Sequence, residues 1–312
     1  MYESTEVDMG YGAKILKDSL SPDGVRLTTM EVTFPRIVLA EFNTHRMFSR
    51  NSASSRAIPV EKMLKKVDED PFIPIYWGKN QKGMQAEQEL SDEDQEYARD
   101  CWLRGRDYAV DTAKRMLDMG IHKQITNRML EPWLWQTVIV TATEWDNFWG
   151  LRCHKDAQPE IRVVADMMRK VYDESTPDVL AYGQWHLPLL QDDEFVDEDV
   201  GFPCVSFTAK DAVKACVGRC ARISYLTHDG KRDPKADIEM AERLAAAGHM
   251  SPWEHVARPM HKDEIKTYST LDPRHYPGDG VILNEVPFLG NFRGWVQARK
   301  ELPNEYNFLK TK

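Results

Sequence analysis

The sequence has little cysteine: Cys101, Cys153, Cys204, Cys216 and Cys220 are the five in 312 residues. An odd number at scattered spacing argues against a disulfide framework and fits free thiols in a reducing compartment. No apolar run approaches the roughly 20 residues that cross a bilayer. Met1 to Asp8 also lack the basic start and apolar stretch of a secretory signal. These absences lead to the expectation of a cytoplasmic protein with no membrane partner. Basic charge is in deficit, with 41 Lys and Arg against 50 Asp and Glu and a net charge of −9. That balance argues against duplex nucleic acid as the main ligand, because binding a phosphate backbone needs an extended basic surface. A small anion held by a local arginine cluster is still permitted. What remains is ordinary globular composition, 42% hydrophobic and 29% charged, which excludes a disordered chain.

Periodicity sketches an α/β chain. Met30, Val32 and Phe34 alternate as a strand within 25–42, broken at Pro35, and 133–143 is apolar and β-branched like a buried strand. Residues 57–70 read as a short helix and 71–90 as an irregular insertion. Ser91 with Asp94 marks a helix start. Ala98, Cys101, Trp102, Ala109, Ala113, Met116 and Leu117 carry that helix to Met119, and Gly120 stops it. A shorter helix is expected over 121–131. Within 157–173, Ile161, Val164, Ala165, Met168, Val171 and Tyr172 follow helical spacing. The acidic stretch 191–201 reads as a linker, Thr208 with Asp211 as the cap of a helix to about Ala221, and 237–247 as a further helix closed by Gly248. Residues 261–312 read as loops and short strands.

Three segments concentrate polar chemistry. Residues 44–56 hold Arg46, Arg50 and Arg56 with His45 and four serines. Guanidinium forks and hydroxyls at that density suit a phosphate or a pyrimidine carbonyl. A solvated basic turn is the plain alternative, weakened by the lack of any acidic residue inside the segment. Arg152 precedes the 157–173 helix near its positive end, where a cation gains nothing from the dipole, so a bound anion would explain it. The alternative pairs Arg152 and Arg162 with Asp156 and Glu160 at the surface. His249, Glu254 and His255 lie close in sequence, but their spacing has no metal geometry behind it and no metal is expected. Cys216 and Cys220 read as core packing on one helix. Trp133, Trp135, Trp145 and Trp149 leave open a flat-ring pocket or plain core.

Together these segments resemble the flavin-dependent thymidylate synthase family. His45, Arg46, Ser54 and Arg56 fall in register with its arginine-histidine-arginine signature. Residues 128–132, 147–152 and 157–162 are similar to its C-terminal half, and 221–225, 233–234 and 248–255 to its N-terminal half. The part expected first comes last, so the chain reads as circularly permuted. On that reading 1–190 carries the signature and C-terminal part, 191–206 is an acidic linker, and 207–312 holds the N-terminal part and an extra tail, together one catalytic unit.

The resemblance implies an α/β fold, an antiparallel sheet flanked by helices of thymidylate-synthase-complementing-protein type, assembled as a homo-oligomer, a tetramer. It implies FAD, reduced by NADPH, acting on dUMP with methylenetetrahydrofolate as the one-carbon donor. It carries over Arg152, Arg56 and Ser54 as catalytic, and Glu41, Ser54, Ser55, Arg56, Arg128 and Arg152 as substrate-binding. His45, Arg46, Asn147, Ser224, His249, Ser251 and Glu254 are carried over as cofactor-binding. Four positions depart from the pattern. Thr44 stands where the motif's first arginine is expected, Glu41 where a glutamine is common, and Thr141 and Thr143 where flavin-contacting Asn and Arg are frequent. Arg293 or Arg299 in the tail offers a replacement cation, with Gln297 as its polar neighbour. The departures keep two alternatives open: C5 hydroxymethylation or another modification of a pyrimidine nucleotide, and nucleotide binding without catalysis.

Overall fold

The computed structural model describes residues 10–190, 208–223, 233–264, 286–303 and 305. Five strands form a mixed, mostly antiparallel sheet: β1 (Gly12–Leu20), β2 (Arg26–Pro35), β3 (Ser49–Ser52), β4 (Trp135–Ala142) and β5 (Asp178–Val179). Their order is β3-β4-β2-β1-β5, and only the β1–β5 pair is parallel. Side chains on a strand alternate between faces, so the sheet presents two different surfaces. Met30, Val32 and Phe34 of β2 join Val138, Val140 and Ala142 of β4 on one face. Helix α6 (Pro159–Glu174) covers them with Ile161, Val164, Ala165 and Met168, all fully buried. On the opposite face Ile139 packs on α7 (Ala209–Arg222) through Cys216, Val217 and Cys220, and on Trp253 and Val256. The two cysteines are buried free thiols of this core.

The remaining helices are α1 (Leu39–Phe42), α2 (Val60–Glu69), α3 (Asp92–Asp118), α4 (Lys123–Thr126), α5 (Asp146–Arg152) and α8 (Pro234–Ala246). Ser91 and Thr208 cap α3 and α7 as their spacing predicts, the latter in a full capping box with Asp211. Helix α8 begins earlier than the periodicity indicates, because Asp233 accepts from the backbone of Ala236 and Pro234 takes the first turn. The helix expected over 121–131 divides into α4 and a 3₁₀ turn over Asn127–Trp133 that contains Pro132. Strand β1 has no counterpart in the sequence reading. Tyr11, Ala13 and Ile15 face α6 and Leu16 the other side, and a register shift between Ile15 and Lys17 then interrupts the alternation that would announce a strand. The linker expected over 191–206 lies outside the described residues. The tail does contain short strands as expected, β7 (Phe288–Leu289), β8 (Phe292–Arg293) and β9 (Trp295–Gln297), and β9 pairs with β6 (Ala257–Pro259).

A buried polar chain crosses the α7 face of the sheet. Ser19 Oγ lies 2.9 Å from His186 Nδ1, and His186 Nε2 lies 2.8 Å from Thr29 Oγ1. Thr29 Oγ1 lies 2.7 Å from Thr141 Oγ1, which lies 2.8 Å from His255 Nδ1. All five residues are fully buried, and His255 Nε2 has no hydrogen-bond partner. Burial pushes both imidazoles down to about 3, so they are neutral at physiological pH.

Candidate functional site

The turn after α1 is set by an aromatic anchor. Phe42 is fully buried against Phe34, Phe48 and Phe148, and the chain then folds back through Thr44 N to Glu41 O and His45 N to Phe42 O. His45 is thereby placed edge-on to the Phe148 ring, with centroids 4.9 Å apart. Helix α5 is fixed from beneath by Trp145, Phe148 and Trp149 in the same core, which delivers its last residue, Arg152, to the turn. Arg152 Nε donates to His45 Nε2 at 2.9 Å, and Nη2 donates to Thr44 Oγ1 at 3.2 Å and Glu41 O at 3.4 Å. A guanidinium only donates, so His45 Nε2 is an acceptor and the ring is neutral. Burial pushes the His45 pKa down to about 4, the Arg152 and Arg50 charges act in the same direction, and a hydrogen bond with Asn147 opposes them.

Arg152 has no carboxylate within ion-pair distance among the described residues. It is the last residue of α5, where that helix's own dipole favours a cation, so its position does not by itself require a bound anion. The proposed surface pairing with Asp156 and Glu160 is not formed either, since Arg162 lies 3.9 Å from Asp166. Glu41 Oε2 is enclosed by protein and has no hydrogen-bond partner among the described residues.

The second predicted group gathers around Glu131. Its Oε1 accepts from Arg128 Nη1 at 2.6 Å, Ser55 Oγ at 2.9 Å and Arg36 Nη2 at 3.2 Å. Arg36 Nη1 also donates to Gln136 Oε1 at 2.6 Å. Arg36, Ser55, Glu131 and Gln136 line a cavity of about 250 Å³ with the Trp135 ring. Arg128 is thus ion-paired in the protein. Ser54 and Arg56 lie in the loop between β3 and α2, the first half-buried and the second exposed. Arg36 and Gln136 escaped the sequence reading, because nothing local distinguishes them and they meet across 100 residues.

The tryptophans divide between two places. Trp145 and Trp149 stack at 5.3 Å in the α6 core, whereas Trp133 packs on Trp102 and Trp135 on Phe72. They are core rings and do not share one flat pocket, although Trp135 borders the cavity.

On the side assigned to the cofactor, Arg46, Asn147, His249 and Ser251 are exposed, and Ser224 lies outside the described residues. Glu254 is ion-paired with Arg299. Arg293 pairs with Glu144 at 2.7 Å, and its backbone N donates to Thr143 Oγ1 at 3.1 Å. Both tail arginines are therefore neutralised, which corrects their expected role as a replacement cation. Gln297 Nε2 donates to Ser49 Oγ, Glu254 O and Asn291 Oδ1. The chemistry of the exposed set, a guanidinium, an amide, an imidazole and a hydroxyl, fits a phosphorylated flavin. Thr141 and Thr143 contribute nothing to that fit, since both are buried and bonded within the protein.

The structure thus holds two separate polar groups, the Arg152–His45 contact and the cavity lined by Arg36, and the guanidinium fork of either suits a small anion. Residues 24–178 match the thymidylate synthase complementing protein family, Thy1, and the chain carries a domain of that family. The chain is similar to a solved structure of the UMP/dUMP methylase PolB from Streptomyces cacaoi bound with 5-Br dUMP. That match has 16% identity and a TM-score of 0.45, and covers 53% of this chain and 91% of the other. A second structure of PolB, bound with 5-Br UMP, has 18% identity and a TM-score of 0.46, covering 53% and 90%. No curated protein matches the chain. Among the described residues no helix is long and apolar enough to cross a membrane.

Proposed function

We propose that the protein methylates dUMP at C5 to give dTMP, using methylenetetrahydrofolate, with FAD reduced by NADPH. The observation that carries this reading is the Arg152–His45 contact. It brings the signature segment and a distant arginine into one cluster, inside a domain of the family whose chemistry requires both.

Uracil C5 is a weak nucleophile and gains reactivity as negative charge accumulates on the ring oxygens. Arg152, which has no carboxylate partner among the described residues, stabilises that charge, and the neutral His45 holds the guanidinium in orientation without competing for it. Arg56 and Ser54 act on the same nucleotide, and Ser55 and Arg128 contribute through the Glu131 cluster. Glu41 borders the same cluster through its backbone carbonyl, which accepts from Arg152 Nη2 and Thr44 Oγ1. FAD supplies the redox step when bound, held by Arg46, Asn147, His249, Ser251 and Ser224, with Glu254 fixed at the border by Arg299. In this account the chain is one permuted catalytic unit, and it assembles as a homo-tetramer.

The test is purification followed by a flavin absorption spectrum and a turnover assay with dUMP, methylenetetrahydrofolate and NADPH. Yellow protein that forms dTMP is the expected result. Colourless protein that neither takes up added FAD nor turns over contradicts the proposal.

A further inference from the structure

Thr44 leaves the signature turn without the cation expected there, and the tail arginines are both neutralised by carboxylates. Two other cations lie close in the segment, Arg46 in the turn itself and Arg50 just after it. Arg50 is the one that the fold holds in place. It lies on β3, the edge strand of the sheet, paired in register with Val140. Alternation places it on the Val140 face, while its neighbours Ser49 and Asn51 face the other way, toward Gln297 and the Cys220 carbonyl. Arg50 Nη1 donates to Phe42 O at 3.3 Å and to His45 O at 3.2 Å. The guanidinium is therefore clipped onto the same turn that carries Thr44 and His45. Two long bonds from a single nitrogen leave Nε and Nη2 available.

Arg50 is half-buried, and no carboxylate lies within ion-pair distance of it among the described residues. Its electrostatic neighbours are Arg46, which repels it, and Glu254, which attracts it. Glu254 is already committed to Arg299. Arg46 is exposed and likewise has no ion pair among the described residues. Two arginines four residues apart in one polar segment, neither ion-paired among the described residues and one half-buried, are unfavourable in an acidic chain that has 50 carboxylates to offer. An anionic ligand removes the penalty, and a guanidinium fork matches the geometry of a phosphate oxygen pair.

We propose that Arg50 and Arg46 form an oxyanion-binding pair, with Arg50 taking over the cationic role vacated at Thr44, and that the pair binds a phosphate or diphosphate group of a nucleotide. The identity of the ligand as a nucleotide rests on the function proposed above; the anion site itself does not.

The test uses Arg50→Gln, which removes the charge while keeping a polar side chain, and Arg50→Lys, which keeps the charge without the fork. Inorganic pyrophosphate, dUMP and FAD are titrated into each protein by calorimetry, with thermal midpoints as a folding check. Losing a charge-assisted bond predicts about a ten-fold or greater fall in pyrophosphate affinity for Arg50→Gln, with smaller loss for Arg50→Lys. A parallel fall for dUMP assigns the pair to the substrate phosphate, and one for FAD assigns it to the diphosphate. A fall for pyrophosphate alone upholds the anion site and overturns the nucleotide assignment. Unchanged affinity for all three ligands overturns the pair. Wild-type protein that binds pyrophosphate but neither dUMP nor FAD contradicts the proposed function and leaves the pair standing. If Arg50→Gln does not fold, Arg50→Met, which keeps an unbranched stem without the charge, decides the matter by the same titrations.

Discussion

Arg152 Nε and His45 Nε2 meet at 2.9 Å across a separation of 107 residues. The contact fixes the direction of the proton in that hydrogen bond: Arg152 gives it and His45 receives it. His45 therefore acts as a neutral holder of the guanidinium and not as a competing cation.

Replacing Arg152 with Ala removes a donor that acts on charge developing in the reaction, so kcat/KM is expected to fall about 100-fold or more. The fold is expected to survive, because Arg152 lies at the end of α5 and the anchors of that helix are Trp145, Phe148 and Trp149. Steady-state kinetics with dUMP and a urea denaturation curve check both parts. Near-normal turnover contradicts the assigned role.

Thr141 links Thr29 to His255 inside the sheet. Thr141→Val keeps the shape and removes the hydroxyl, leaving buried polar partners unsatisfied, with an expected loss of about 2–4 kcal/mol. Thr141→Ser retains the hydroxyl and is expected to lose about 1 kcal/mol, chiefly from the missing methyl. Urea unfolding of the two variants tests this, and a Val variant as stable as wild type rules out an energetic role for the chain.

The same chain predicts a pH dependence. His186 and His255 are pushed down to about 3, against an ordinary value of 6.5. Below 6.5 the unfolded protein takes up protons that the folded protein refuses. Stability is therefore complete above pH 6.5 and falls as the pH drops toward 3. The slope approaches about 1.4 kcal/mol per pH unit for each histidine. Urea midpoints between pH 7 and pH 5, above most carboxylate titration, report the summed effect, to which His45, pushed down to about 4, adds in the same direction; a flat profile there contradicts the assignment.

Trp295 is fully buried among Val25, Leu27, Ala257 and Phe292, joining the tail to the start of β2. Its indole Nε1 also donates to Val25 O at 3.2 Å. Trp295→Ala is expected to cost about 3–5 kcal/mol. A loss below about 1 kcal/mol by urea unfolding means that the tail packs loosely and does not hold this edge of the molecule.

Local signals made part of this structure legible. Ile161, Val164, Ala165 and Met168 announce α6 because a helix buried on one side repeats its apolar residues at fixed spacing. Ser91 and Thr208 announce helix starts because their hydroxyls cap nearby backbone N–H groups. The signature segment was legible as a polar cluster, but its wiring was not. Arg152 was read from the helix that follows it, and its position is set by the helix that it ends. Thr29 and Thr141 are 112 residues apart, and neither has a local feature pointing to the other. Arg50 was part of the visible cluster, yet only its place on an edge strand, clipped to Phe42 and His45, separates it from Arg46 and Arg56.

The central claim is C5 methylation of dUMP at the Arg152–His45 cluster. Mass spectrometry of the nucleotide product, from an assay containing dUMP, methylenetetrahydrofolate, FAD and NADPH, tests it most directly. The account predicts dTMP from wild-type protein and its loss in Arg152→Ala. A product carrying an added oxygen on the new carbon, or no product from protein that binds dUMP, contradicts it.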